Sequence, residues 1–237
     1  MTSADGQAAL LDEKGYALLP ALLPPDLLDE AAQSLGRWLG QAAGSRNLLS
    51  SPACRQIAVE LKARLLEAGL LDSASVAVQC TLFDKTAERN WLVALHQDTS
   101  IPASSDSLPT VVKEGEPYVQ PSAELLQSLL AVRVHMDDCG PDAGPLRVVP
   151  GSHRNGRLSD VESQAVRAAH GETTCTAARG DALLMRPLLL HASSRAQLPV
   201  RRRVLHFLFG PAHLPPGLAW NRTVAGAQSA AQASQEN

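Results

Sequence analysis

The sequence predicts a mainly β domain whose helices are gathered at the N-terminal side, built as an antiparallel barrel or sandwich. Two stretches before residue 70 carry apolar residues at helical spacing. From residue 75 the texture changes to short apolar or alternating runs divided by turn residues, the pattern of strands. Little helical pattern separates those runs, which favours antiparallel neighbours over βαβ units. At 237 residues the chain is long enough to bury one substantial core.

A short strand is expected around Gly15–Leu19, within DEKGYALLPALL. Pro24-Pro25-Asp26 marks a helix start, and Leu27, Leu28, Ala31, Leu35 and Leu39 follow on one face. A second amphipathic helix covers about 52–69, with Pro52 in its first turn and Gly69 at its end. Its apolar side carries Ile57, Leu61, Leu65 and Leu66. Seven strands are then expected, at 75–83, 90–98, 129–138, 145–151, 171–178, 181–192 and 202–210. The Pro- and Ser-rich segment 100–122 interrupts this rhythm as a long connection, of the kind that often serves as a lid. Residues 1–219 are read as one domain, helical over about 1–72 and β over about 75–212, with a flexible Ala/Gln/Ser-rich tail over 220–237.

The net charge of −3 offers no bulk attraction to nucleic acid or anionic membranes. No apolar run approaches the roughly 20 residues that span a bilayer. The N-terminus MTSADGQAALLDEKG has acids where a signal peptide needs a basic start, so a cytoplasmic protein is expected. Cys54, Cys80, Cys139 and Cys175 form no CxxC pair, and reduced thiols are expected rather than a cysteine zinc site.

One stretch points to chemistry. In LHQDTS (95–100), His96 and Asp98 are two residues apart at the end of an apolar run, so in a strand both reach one face. A pair of this kind is either a strand-end histidine with a turn-capping aspartate, or part of a metal site. Two histidines and one carboxylate form the facial triad suited to Fe(II). Among the other histidines, His153 sits in the turn PGSH and is expected to be exposed, His170 ends a helix or loop, and His213 lies in a Pro-rich exit. His135 and His206 lie inside strands, where a satisfied polar core residue is the ordinary expectation. His191 stands out, closing the strongly apolar run DALLMRPLLLH. On the next strand, alternation turns Arg202 inward with Val204 and His206 and turns Arg201 and Arg203 outward. An inward arginine can clamp a carboxylate through two parallel hydrogen bonds.

The chain resembles the phytanoyl-CoA dioxygenase family of Fe(II)/2-oxoglutarate oxygenases. The resemblance is carried by LHQD (95–98), VHMDDCGPDAGPLRVVPGSHRNG (134–156), RGDALLMRPLLLHASS (179–194) and RRRVLHFLFG (201–210). The opening KGYALLPALLPPDLLDEAAQSL is also similar, so coverage runs from about 14 to 210. It implies a double-stranded β-helix, or jelly roll, with Fe(II) held by His96, Asp98 and His191. It further implies 2-oxoglutarate as cosubstrate, its distal carboxylate held by Arg202 and Ser193, with Thr81 and Arg133 lining the cosubstrate pocket and Gln97 near substrate. Fe(II), 2-oxoglutarate and O2 together imply hydroxylation of a C–H bond in a small molecule, with release of succinate and CO2. Retention of Asp98, where halogenating relatives carry a small residue, favours hydroxylation. Ala192 and Ala196 depart from the family's usual Gly and Asn after the distal histidine, and 100–122 has no counterpart. Lys113, Arg133 and Arg147 are candidates for pairing with an anionic substrate. Two alternatives stand beside this reading: a cupin-like metal enzyme without 2-oxoglutarate, and a non-catalytic binding module on the same fold.

Overall fold

The structure, a computed structural model, describes residues 4–36 and 44–226. In chain order the elements are α1 (Ala4–Lys14), β1 (Tyr16–Leu19), α2 (Pro25–Ser34), β2 (Gly44–Ser45), α3 (Pro52–Glu67), β3 (Ser75–Lys85) and β4 (Val93–His96). There follow β5 (Ala103–Ser105), β6 (Thr110–Lys113), β7 (Glu116–Val119), α4 (Ala123–Gln127), β8 (Leu130–His135), β9 (Leu146–Val148) and α5 (Asp160–His170). The last are β10 (Thr173–Cys175), β11 (Ala182–Met185), β12 (His191–Ser193), β13 (Arg202–Pro211) and β14 (Leu218–Trp220). All strand pairing among them is antiparallel.

A six-stranded sheet in the order β1-β11-β8-β13-β3-β2 forms the centre, and a four-stranded sheet, β10-β9-β12-β4, makes a second layer. The large sheet is buried on both faces, so its strands are apolar almost throughout rather than alternating apolar with polar. Leu130, Val132 and Val134 of β8, with Leu205, Phe207 and Phe209 of β13, pack under Leu28, Ile57, Leu61 and Leu65 of the helices. Ala131, Leu183, Met185 and Leu208 point the other way, against Leu146, Val148 and Cys175 of the small sheet. Period-two alternation thus assigns one set of side chains to the helices and the other to the space between the sheets. Arg133 and His206 belong to the second set, and that space holds the candidate site.

The expected strand over 181–192 is two strands. Pro187 has no N–H for a sheet ladder, and Leu189 N donates to Arg186 O (3.0 Å) in a turn that carries the chain from β11 in the large sheet to β12 in the small one. The segment 100–122 is also more folded than a loop. It holds β5, paired with β14, and the hairpin β6–β7. Helix α4 had no expectation, α1 falls in the part expected to be helical without being placed there, and α5 ends at His170, which was expected to close a helix or loop. The last carries a legible signal, since Ser159 and Glu162 form a reciprocal capping box. Past residue 219, Trp220 Nε1 donates to Pro211 O (2.9 Å) and Val224 bridges to Ala77 on β3. The remainder of that tail, like Leu39, lies outside the described residues.

His153 is buried rather than exposed. Gly15, at φ +81, has no Cβ, and one built there would stand 2.4 Å from His153 Nδ1. The imidazole therefore seats over the glycine and donates from Nε2 to Asp12 O (3.2 Å). All four cysteines are free and buried.

Candidate metal and cosubstrate site

β12 lies antiparallel to β4 in a register that sets His191 directly opposite His96. The two imidazole centroids are 4.2 Å apart. Asp98 lies just past the end of β4, where its backbone N–H donates to Pro187 O (2.9 Å), so the turn that splits β11 from β12 also fixes the carboxylate. Its Oδ1 is 3.7 Å from His96 Nε2 and its Oδ2 is 3.8 Å from His191 Nε2. The three ligand atoms lie within 4.8 Å of one another, the only such cluster of His, Cys, Asp or Glu among the described residues.

Both rings are held in one tautomer. His96 Nδ1 donates to Ala94 O (2.8 Å) and His191 Nδ1 to Leu189 O (2.9 Å), which leaves each Nε2 lone pair turned to the shared point. Burial pushes the His191 pKa down to about 4, despite the opposing pull of Asp98, and keeps the ring neutral as a ligand must be. Burial acts to raise the Asp98 pKa, but His191, His206, His96 and Arg133 together hold it below its ordinary value. The donor set fits Fe(II).

A cavity of about 390 Å³ opens on this point and runs between the sheets. Arg202 and Arg133 line it, and both are buried. Arg202 donates from one Nη to Gly144 O (2.5 Å) and keeps a buried Nε without a partner. Arg133 bonds His206 Nδ1 (3.1 Å) and likewise keeps a buried Nε without one. Burial, then repulsion from Arg202, brings the Arg133 pKa down to about 10, so it remains a cation. Two buried guanidinium groups with unspent donors constitute a receptor for a carboxylate, which fits 2-oxoglutarate. Ser193 faces the same cavity, its Oγ donating to Gly144 O (3.0 Å). Thr81 is also in the wall, its Oγ1 accepting from Gln79 Nε2 (2.9 Å).

The run Arg201-Arg202-Arg203 alternates as expected. Arg202 points in, while Arg201 pairs with Asp84 (2.9 Å) and Arg203 with Asp137. Arg147 is bound to Glu172 (3.3 Å) and serves the small sheet instead of the cavity. Gln97 lines the cavity, and its amide donates to Gly156 O (2.8 Å) and Leu188 O (2.7 Å) and accepts from Leu158 N (2.9 Å). These bonds to backbone tie three segments together beside the His–Asp–His cluster. His206 is more than core filling, since it lines the cavity and orients Arg133. His135 is buried with its Nδ1 unpartnered, contrary to the expectation of a satisfied core residue.

Sequence reasoning missed two contributors. Lys85, at the end of β3 and paired in register with Arg202, is wholly buried. Its Nζ donates to Ser194 O (2.7 Å) and Ser193 Oγ (3.4 Å), and lies 5.2 Å from the Trp91 ring centroid. Gly144, at φ +65, is the other. A Cβ there would stand 2.5 Å from Ser194 O, so only glycine lets its carbonyl approach Arg202 and Ser193.

The sequence model for phytanoyl-CoA dioxygenase (PhyH) matches residues 11–204. The chain belongs to this family. Its members use Fe(II), 2-oxoglutarate and O2, which identifies the chain with Fe/2-oxoglutarate oxygenase-type chemistry. No curated protein matches the chain in sequence. Among solved structures, the non-heme α-ketoglutarate-dependent epimerase SnoN from nogalamycin biosynthesis is 17% identical, with a TM-score of 0.68 over 92% of this chain and 85% of that one. HygX from Streptomyces hygroscopicus, with nickel and 2-oxoglutarate bound, is 19% identical, with a TM-score of 0.61 over 88% and 87%. EctD from S. alaskensis is 19% identical, with a TM-score of 0.65 over 93% and 85%. At these identities the likeness is one of fold. Among the described residues no helix is long and apolar enough to cross a membrane.

Proposed function

We propose that this phytanoyl-CoA dioxygenase family member is a 2-oxoglutarate-dependent hydroxylase of a small organic molecule, working on a double-stranded β-helix. The observation that carries the reading is the meeting, in one cavity, of two Nε2 atoms and a carboxylate with two buried arginines whose donors are unspent. His96, Asp98 and His191 would hold Fe(II), which together with 2-oxoglutarate and O2 supplies the oxidising power for C–H hydroxylation.

The chain's own residues divide the remaining work. Arg202 receives the distal carboxylate of the cosubstrate, and Ser193 and Thr81 line the same cavity. Arg133 adds a second positive charge, and neutral His206 accepts its hydrogen bond and aims it. Burial pushes the His206 pKa down to about 3, with Arg133 adding to the effect, so this acceptor role persists at neutral pH. Leu126, Leu129 and Leu208 keep the inner wall apolar, which strengthens each charged contact by excluding water. The same layout supports a site that seats cosubstrate and substrate before oxygen is used.

The test is anaerobic titration of the purified chain with Fe(II) and 2-oxoglutarate, followed by succinate release across a substrate panel. A metal-to-ligand charge-transfer band and 2-oxoglutarate-dependent succinate are expected. Both should vanish in His96→Ala and in Asp98→Ala. Retained turnover in either variant would overturn the ligand assignment.

A further inference from the structure

The cavity wall carries a charge that belongs to neither the candidate metal set nor the candidate cosubstrate arginines. The hairpin β6–β7 contributes Lys113 and Tyr118 to the cavity wall, with Lys113 Nζ 4.8 Å from the Tyr118 ring centroid. The acids of this hairpin are both engaged elsewhere. Glu114 at the tip accepts from Arg46 N (2.7 Å) and Arg46 Nη1 (3.0 Å), and Glu116 pairs with Arg222 (3.1 Å). Asn47 Nδ2 adds a bond to Glu114 O (3.3 Å), so the hairpin is pinned at its tip and its charges are fixed in place. Lys113 has neither a hydrogen bond nor an ion pair among the described residues.

Tyr118 repeats the pattern. It is only 3% exposed, and its buried hydroxyl has no hydrogen-bond partner. A buried donor left unpaired costs roughly 1–3 kcal/mol, so such a group in a cavity wall is explained by what fills the cavity. Burial pushes the Tyr118 pKa up to about 12, and the hydroxyl stays protonated as a donor. The only carboxylate among the residues lining the cavity is Asp98, which belongs to the metal set. Lys113 therefore has no internal counter-ion once the metal is bound.

We propose that Lys113 and Tyr118 form an anion subsite, so that the substrate is a small acid whose carboxylate or phosphate is held in the cavity by the β6–β7 hairpin. The proposal rests on the functional reading above for the word substrate, but the subsite itself does not need it. Arg46 is excluded as the primary contact because Glu114 already occupies it.

The chain is saturated with nickel and 2-oxoglutarate, so that Arg202 is occupied, and titrated calorimetrically with matched probes: hexanoate, hexanamide and hexyl phosphate. At least one of the two anions is expected to bind about fivefold or more tightly than the amide, as befits a partly buried ion pair. Lys113→Gln and Tyr118→Phe should each reduce that preference while leaving hexanamide affinity and 2-oxoglutarate affinity unchanged. Whichever anion is preferred distinguishes a carboxylic acid from a phosphate ester. Equal binding of acid and amide, a preference that survives both substitutions, or no binding of either anion overturns the subsite. A chain that takes up no nickel and 2-oxoglutarate refutes the function proposed above, yet the acid-over-amide preference and its loss in Lys113→Gln are then read on the bare chain.

Discussion

Replacing Lys85 with methionine tests the electrostatics of the cosubstrate end of the cavity without touching a ligand. The ammonium is wholly buried beside Ser193 and Ser194. Burial first, and then the Arg202 charge, lower its pKa from 10.5 to about 8. Because the folded pKa lies below the unfolded one, the unfolded chain binds more protons between those values. Stability therefore rises with pH across that window. The penalty of holding the cation is fully present below pH 8 and gone above 10.5; at 1.36 kcal/mol per pH unit it comes to about 3 kcal/mol. Methionine has nearly the same shape and no proton to lose. The stability of the wild type relative to Lys85→Met should thus increase by about 3 kcal/mol from pH 7.5 to 10.5, whatever the offset at neutral pH. Urea unfolding followed by tryptophan fluorescence, under reducing conditions at half-unit pH steps, measures the difference. Titrations common to both chains cancel. A difference that stays constant within about 0.5 kcal/mol over the window would refute the reasoning.

Other expectations follow from the same geometry. Arg202→Gln should raise the apparent KM for 2-oxoglutarate by about ten- to a hundredfold, the worth of a charged bidentate contact, with steady-state succinate assays as the check. Gly144→Ala forces a Cβ against Ser194 O at a positive φ and should cost on the order of 2–3 kcal/mol in urea unfolding, with weaker 2-oxoglutarate binding because Arg202 and Ser193 share that carbonyl. Gln97→Leu leaves one backbone N–H and two carbonyls without their partner and should destabilise by about 2–3 kcal/mol, while a Gln97→Glu chain recovers only the bond to Leu158 N.

The residues that the structure gathers at the candidate site were legible because each rests on a local rule. His96 and Asp98 are two apart on extended chain, and Arg202 shares its face with His206, so alternation alone predicts which side chains turn inward. What alternation cannot carry is a contact between distant segments. The backbone bonds of Gln97 were not legible because its partners, Gly156, Leu158 and Leu188, are remote in sequence. His153 was expected on the surface because nothing near it shows that Gly15 clears a space for its ring.

The amino-acid sequence by itself determined a mainly β domain with helices at its N-terminal side, the two histidines and one carboxylate, and the inward arginine, since periodicity and residue chemistry are properties of neighbouring positions. Tertiary structure decided the rest. It broke 181–192 at Pro187, which moved His191 into the small sheet opposite His96 and tied Asp98 to the same turn. It buried Lys85 behind Ser193, and it folded 110–119 back so that Lys113 and Tyr118 face the cavity with their charge and donor unspent. These are consequences of pairing between strands far apart in the chain, where the energy of a contact depends on what the whole fold excludes from water.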